Sequence, residues 1–218
     1  MINFLIDKLL ILPGILIGLS VHEFAHSYVA YKLGDDSQRY QGRLTLDPLK
    51  HIDPMGFIFL LLCGFGWAKP VMINSRVFKK PRRDDSLVSV AGPMMNLITA
   101  VIFTAVLGIV YYVALSTGVI NNQAIQILIE IIQNVMIINL SLMAFNLIPI
   151  PPLDGHHIFG NIFGAKVWNF YYKYADVLRV ALMLMIIVGA TGRILSPIVS
   201  GIFRFLFSNM ANIVNSLL

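Results

Sequence analysis

The chain has 218 residues, of which 57% are hydrophobic and 12% charged, with a formal net charge of +5 and a mean hydropathy of +0.78. A soluble domain carries about 25% charged residues, so this chain has too little polar surface to cover a water-soluble globule and reads as a membrane protein. The single Cys63 excludes an internal disulfide framework and a Cys-ligated zinc finger. No polar stretch is long enough for a separate soluble domain, so residues 1–218 read as one membrane-embedded domain.

A hydrocarbon core of about 30 Å requires roughly 20 apolar residues per helix. Phe4 to Leu33 meets that length, and Asp7 together with the lack of a small-residue cleavage site argues against a signal peptide. Met55 to Trp67 is apolar but too short to cross, contains Gly56, Gly64 and Gly66, and is expected to be a re-entrant or partial span. Leu87–Leu115, Ile125–Leu147 and Val177–Ala190 follow as spans, with a last one at Ile194–Leu218 interrupted by Pro197 and Arg204.

If the short segment turns back, the loops at 34–54, 68–86 and 149–176 share one face. That face holds Lys32, Arg39, Arg43, Lys50, the run Lys79-Lys80-Pro81-Arg82-Arg83, Lys166 and Lys173, whereas Ser116–Ala124 has no basic residue. The positive-inside rule makes the loaded face cytosolic and leaves the N-terminus outside. The basic run is read as topogenic, with no nucleic-acid partner.

The first span contains His22-Glu23-Phe24-Ala25-His26. Residues i and i+4 of a helix lie one above the other, so both imidazoles can reach one metal ion, and Glu23 can sit beside an activated water as its proton acceptor. Left without a metal, these groups are expensive in a bilayer: a charged group costs about 2.5–3.5 kcal/mol there even on the lenient insertion scale. Gly14 and Gly18 continue the i, i+4 stripe of His22 and His26 and are expected to allow close helix approach.

Catalytic zinc usually has three protein ligands and a water. Candidates for the third are His51, His156, His157 and the acidic residues, with Asp154 the best placed. It follows Asn146-Leu-Ile-Pro-Ile-Pro-Pro-Leu, whose prolines end the regular helix after Asn146. Non-helical backbone at membrane depth is tolerated where protein or a wet cavity covers it, and Gly155 reads as a flexible joint in a ligand loop. His51 is otherwise expected to stabilise its own loop with Asp53, and His156 and His157 to face solvent or headgroups.

HExxH in the first core span, with a late NxxPxPxLDG, resembles the site-2 protease family of intramembrane zinc metalloproteases. Gly42 to Pro54, Gly64-Phe-Gly66-Trp-Ala-Lys69-Pro70-Val71 and Ala91-Gly92-Pro93-Met-Met-Asn96 resemble further motifs of its small bacterial subgroup, which lacks PDZ and CBS domains. The resemblance implies one Zn2+ per chain held by His22, His26 and Asp154, with Glu23 as general base. It implies substrate contacts at Asn146 and Asn96, and at Gly64 and Gly66 in a membrane-edge strand that holds substrate extended. The expected fold is an all-α polytopic membrane protein with about five to six transmembrane helices and a re-entrant segment or short β-hairpin near residues 57–73.

The expected function is intramembrane endoproteolysis of transmembrane segments, in a bacterial plasma membrane and near its cytosolic side. Its partners are then membrane-protein substrates and the lipid bilayer. A metal-binding transporter or permeation protein is the alternative. Transporters spread ionisable groups over several spans and show inverted repeats, whereas here they concentrate in one HExxH and one Asp loop.

Overall fold

The computed structural model describes residues 2–63, 69 and 71–218. Helix α1 (Ile2–Lys32) leads into two single-turn helices, α2 (Ser37–Tyr40) and α3 (Pro48–His51), and the short α4 (Pro54–Cys63). After a 3-10 turn at Ser75–Val77 come α5 (Pro81–Ser116), α6 (Gln123–Asn146), α7 (Asp154–Phe163), α8 (Ala165–Ile187) and α9 (Ala190–Leu217).

Four helices are long and apolar enough to cross a membrane, over Lys8–Lys32, Pro81–Ser116, Gln123–Asn146 and Ala190–Leu217. The helix that holds most of the expected span at Val177–Ala190 begins earlier, at Ala165, and ends at Ile187, and Lys173, Asp176 and Arg179 make it too charged to join those four. It stops at Ile187 because Gly189 takes a left-handed conformation (φ +71°), which a residue with a side chain rarely adopts. Pro197 and Arg204 do not interrupt α9, which runs through both.

The apolar stretch 57–63 is helical and belongs to α4, and no strand occurs among the described residues. A helix satisfies its own backbone, whereas a hairpin in lipid would expose its edges. Asp53 Oδ1 accepts from Gly56 N at 2.8 Å and so helps to start α4. At 10 residues α4 reaches only about 15 Å, too short to cross.

Helices α1, α5 and α6 pack against one another, and α9 lies against α5 and α6. Leu107 of α5, Ile129, Ile132 and Met136 of α6, and Met210 and Val214 of α9 form the larger apolar cluster. A smaller one joins Ala30, Phe78 and Val88. Many large apolar side chains face outward, including Val101, Ile102 and Ile109 of α5 and Phe205 and Ile213 of α9, as expected when lipid is the surrounding medium.

The glycine stripe on α1 sets its distance from α6. A Cβ at Gly14 would lie 2.7 Å from Ile138 Cδ1 and 3.1 Å from both Asn134 O and Val135 Cα, and one at Gly18 would lie 2.7 Å from Leu142 Cδ1. By contrast, Gly201 on α9 has open space where a Cβ would be. Gly14→Val is therefore expected to destabilise the bundle by about 1–3 kcal/mol through overpacking, whereas Gly201→Val is not. Thermal unfolding in detergent checks this, and equal midpoints for the two variants would count against close α1–α6 packing.

Candidate metal centre

The first motif lies in the C-terminal half of an apolar helix, and α1 presents both of its histidines toward α5 and α7. His22 and His26 are each 6% exposed. Their Nε2 atoms are 3.0 Å apart. Asp154 Oδ2 completes a triangle, 3.2 Å from His22 Nε2 and 3.3 Å from His26 Nε2. Three ligand atoms held about 2.0–2.1 Å from a tetrahedral zinc would stand roughly 3.3 Å apart, so the triangle is close to the size that such an ion needs. Asp154 Oδ2 is buried without a conventional hydrogen bond, the condition of an acceptor reserved for something else. Among the described residues, His22, His26 and Asp154 form the one group of metal-ligating side chains able to converge on a single ion.

Asp154 arrives there because α6 ends at Asn146 and the chain turns tightly before α7 begins. Ile150 N donates to Ile148 O and Leu153 N to Ile150 O within the proline-rich turn, and Tyr171 Oη of α8 donates to Pro149 O at 3.0 Å. Gly155 matters for its size. A Cβ there would lie 2.4 Å from the carbonyl oxygens of both Leu147 and Ile148, so the expected role as a flexible joint gives way to one of close approach. Gly92 of α5 acts similarly, since a Cβ would meet His22 Cε1 and His26 Nε2 at 2.5 Å.

The other ring nitrogens are also engaged. His22 Nδ1 lies 2.7 Å from Asn96 Oδ1, and His26 Nδ1 lies 2.7 Å from Val88 O. Asn96 Nδ2 donates to Gly18 O at 3.0 Å and to Asn139 Oδ1 at 2.9 Å. The structure thus puts Asn96 behind His22, fully buried, and not on a surface where a substrate would touch it as the resemblance implied. Its amide is used up by a histidine and two helices. Asn146 donates to Leu142 O of its own helix at 3.0 Å. Gly64 and Gly66 lie outside the described residues.

Glu23 is half-buried, and its Oε2 accepts from Val71 N at 3.2 Å. Val71 belongs to a non-helical stretch held by buried polar side chains: Arg43 Nη1 donates to Lys69 O, Gln38 Nε2 to Met72 O, and Asn74 N to Asp35 Oδ2. His51 contributes through its carbonyl, which accepts from Lys69 N at 2.8 Å. Its ring Nε2 meets Thr45 O at 2.7 Å. His51 therefore stabilises its loop through Thr45, while the expected partner Asp53 caps α4.

Neither of the paired histidines after Asp154 joins the metal group. His156 Nδ1 lies 2.6 Å from Leu153 O, and its ring packs against Trp168 and Tyr171, so burial lowers its pKa below the ordinary imidazole value. His157 Nδ1 lies 3.0 Å from Asp85 Oδ2, which also accepts from Asn161 Nδ2 at 2.6 Å. Asp85 thereby pins α7, the helix that carries Asp154, to α5. Asp85 and Asn139 escaped the sequence reading. The only signal was polarity inside or beside a span, and Asp85 adjoins a basic run that already had an explanation.

Residues 10–189 match the family model described as Peptidase family M50. The chain is 49% identical over 166 residues to a Bacillus subtilis protein named "Putative zinc metalloprotease YwhC", an alignment covering 72% of each. It is 30% identical over 153 residues to "Putative zinc metalloprotease Rip2" of Mycobacterium tuberculosis, covering 67% of this chain and 54% of that one. The Rip2 of Mycolicibacterium smegmatis is 31% identical, with 68% and 55% covered. No solved structure matches. The family match takes in both the HExxH helix and the aspartate that meets it in space, and the chain belongs to peptidase family M50.

Proposed function

We propose that this protein is an intramembrane zinc metalloendopeptidase, holding one Zn2+ per chain on His22, His26 and Asp154 and cutting peptide bonds in or beside transmembrane segments of substrate proteins. The observation that carries the reading is the triangle of two Nε2 atoms and one carboxylate oxygen, 3.0–3.3 Å on a side, assembled from two distant motifs. Zinc in that position supplies a Lewis acid that polarises a peptide carbonyl and makes water acidic enough to react near neutral pH.

The remaining steps belong to the chain's own side chains. Glu23 takes a proton from the water that attacks the carbonyl carbon and returns it to the amine as the C–N bond breaks. The stretch around Val71 lies beside Glu23 with its backbone oriented by Arg43, Gln38 and Asp35. A scissile peptide must leave its helix before attack, and an extended neighbour offers partners to the released N–H and C=O groups. Asn146 spends one Nδ2 proton on Leu142 O, and the other is the proposed donor to a substrate carbonyl. Asp154 is the most open of the three ligands, 19% exposed against 7% for each histidine side chain, so water and substrate are assigned to its side. The concentration of Lys and Arg on the loops that flank the site supports a cytosolic location for that end of the bundle.

Two measurements on the purified protein in detergent test this. Glu23→Gln is expected to keep one zinc per chain by elemental analysis while hydrolysis of a single-span substrate falls about 10²–10⁴-fold; retained turnover would remove Glu23 as the base. Asp154→Ala is expected to lose the zinc. Full retention would reopen the third ligand, and a well-folded wild type that takes up no zinc would end the metalloprotease reading.

A further inference from the structure

A neutral imidazole has two tautomers, and only the one protonated on Nδ1 leaves the Nε2 lone pair free for a metal. In this protein the choice can be traced outward from His22 through three helices. Asn139 Nδ2 donates to Val135 O at 2.8 Å, and Asn96 Nδ2 donates to Gly18 O at 3.0 Å. Both recipients are main-chain carbonyls, which can only accept. Turning either amide around would set oxygen against oxygen in a buried site. Asn139 Oδ1 is therefore left facing Asn96 Nδ2 at 2.9 Å, and Asn96 Oδ1 is left facing His22 Nδ1 at 2.7 Å. An amide oxygen accepts only, so His22 must hold its proton on Nδ1. His26 reaches the same state in one step, because its Nδ1 faces Val88 O.

We propose that Asn139 is a positioning residue for the metal centre, acting through Asn96 to hold His22 as the Nδ1–H tautomer with Nε2 directed at the ion. The proposal rests on the reading of His22 as a metal ligand. Asn139 and Asn96 are both fully buried, so no water can replace a missing partner. With Asn139 in place, two acceptors fix the orientation of the Asn96 amide. Without it, Gly18 O acts alone and one buried N–H is orphaned, a loss that a hydrogen-bonded chain passes on to its end. Partners behind a metal-binding histidine set its tautomer and basicity, and their removal typically weakens metal binding by 10–100-fold.

The test compares three variants of the full chain in detergent. Zinc affinity is read by chelator competition, stability by thermal unfolding, and the Nδ1–H resonance of His22 in zinc-loaded protein carrying isotope-labelled histidine. Asn139→Leu, similar in shape but unable to hydrogen-bond, is expected to bind zinc about tenfold more weakly and to lose or broaden that resonance. Asn139→Asp, protonated in this apolar setting, can still donate to Val135 O and accept from Asn96, and is expected to stay close to wild type. Leu140→Ala removes a fully buried neighbour outside the hydrogen-bond chain and is expected to lower stability while keeping zinc affinity. The proposal is overturned if folded Asn139→Leu binds zinc as wild type does, if Leu140→Ala weakens binding equally, or if wild-type His22 carries its proton on Nε2. Should Asn139→Leu not fold, the aspartate variant decides: wild-type affinity and an intact resonance support the proposal, and a tenfold loss overturns it. A wild type that binds no zinc would overturn the metal reading itself, and this inference with it.

Discussion

Two imidazole nitrogens and a carboxylate oxygen stand about 3 Å apart in the middle of an apolar bundle, and the rest of the structure has to make that tolerable. Lone pairs at such distances repel, and lipid offers no water to separate them. A cation held by His22, His26 and Asp154 would turn the repulsion into coordination. The surrounding helices serve the same end by engaging the second ring nitrogen of each histidine: Nδ1 of His22 on Asn96, and Nδ1 of His26 on a carbonyl of α5. The polarity is thereby confined to one point.

Bringing that point together requires backbones closer than side chains normally allow. Gly14 and Gly18 let α1 settle on α6, Gly92 lets α5 pass the two imidazole rings, and Gly155 lets α7 start directly beneath the carbonyls that end α6. The four lie on three elements, α1, α5 and α7, and of them Gly92 meets the ligand rings directly. α7 is then held laterally, where Asp85 takes His157 and Asn161, and Tyr171 of α8 ties down the proline turn. The carboxylate of Asp154 therefore projects from a helix fixed at both its start and its flank.

The parts of this arrangement that were legible in the sequence share one property: the chemistry is forced by residue type and spacing. HExxH on an apolar helix leaves few other uses for two histidines one turn apart, and three prolines after Asn146 can only break α6, which ends there. What stayed hidden depends on tertiary neighbours. Asn139 lies in a pattern that looks like a glycosylation site and means nothing inside a span. Its value comes from standing opposite Asn96, 43 positions away in the chain. Gly155 was legible as a glycine but not as a contact, because the carbonyls it avoids belong to a turn whose path no local pattern fixes. Sequence proximity pairs His51 with Asp53, yet the ring meets the carbonyl of Thr45 and Asp53 turns to Gly56 N. The hydropathy pattern located an apolar stretch at Val177–Ala190 but missed the helical turns that precede it, where Lys166 and Lys173 disguise a helix already under way.

The ligands of the centre also stand far apart along the chain, two on the first helix and one after more than half the sequence has passed. A bound ion would thus act as a cross-link, closing a loop that contains α2 to α6 entire. Closing such a loop carries an entropic cost that grows only slowly with its length, whereas ligation at structural zinc sites can supply binding energy large enough to drive folding. In this architecture a bound ion would double as the clasp that keeps the α6–α7 turn against α1.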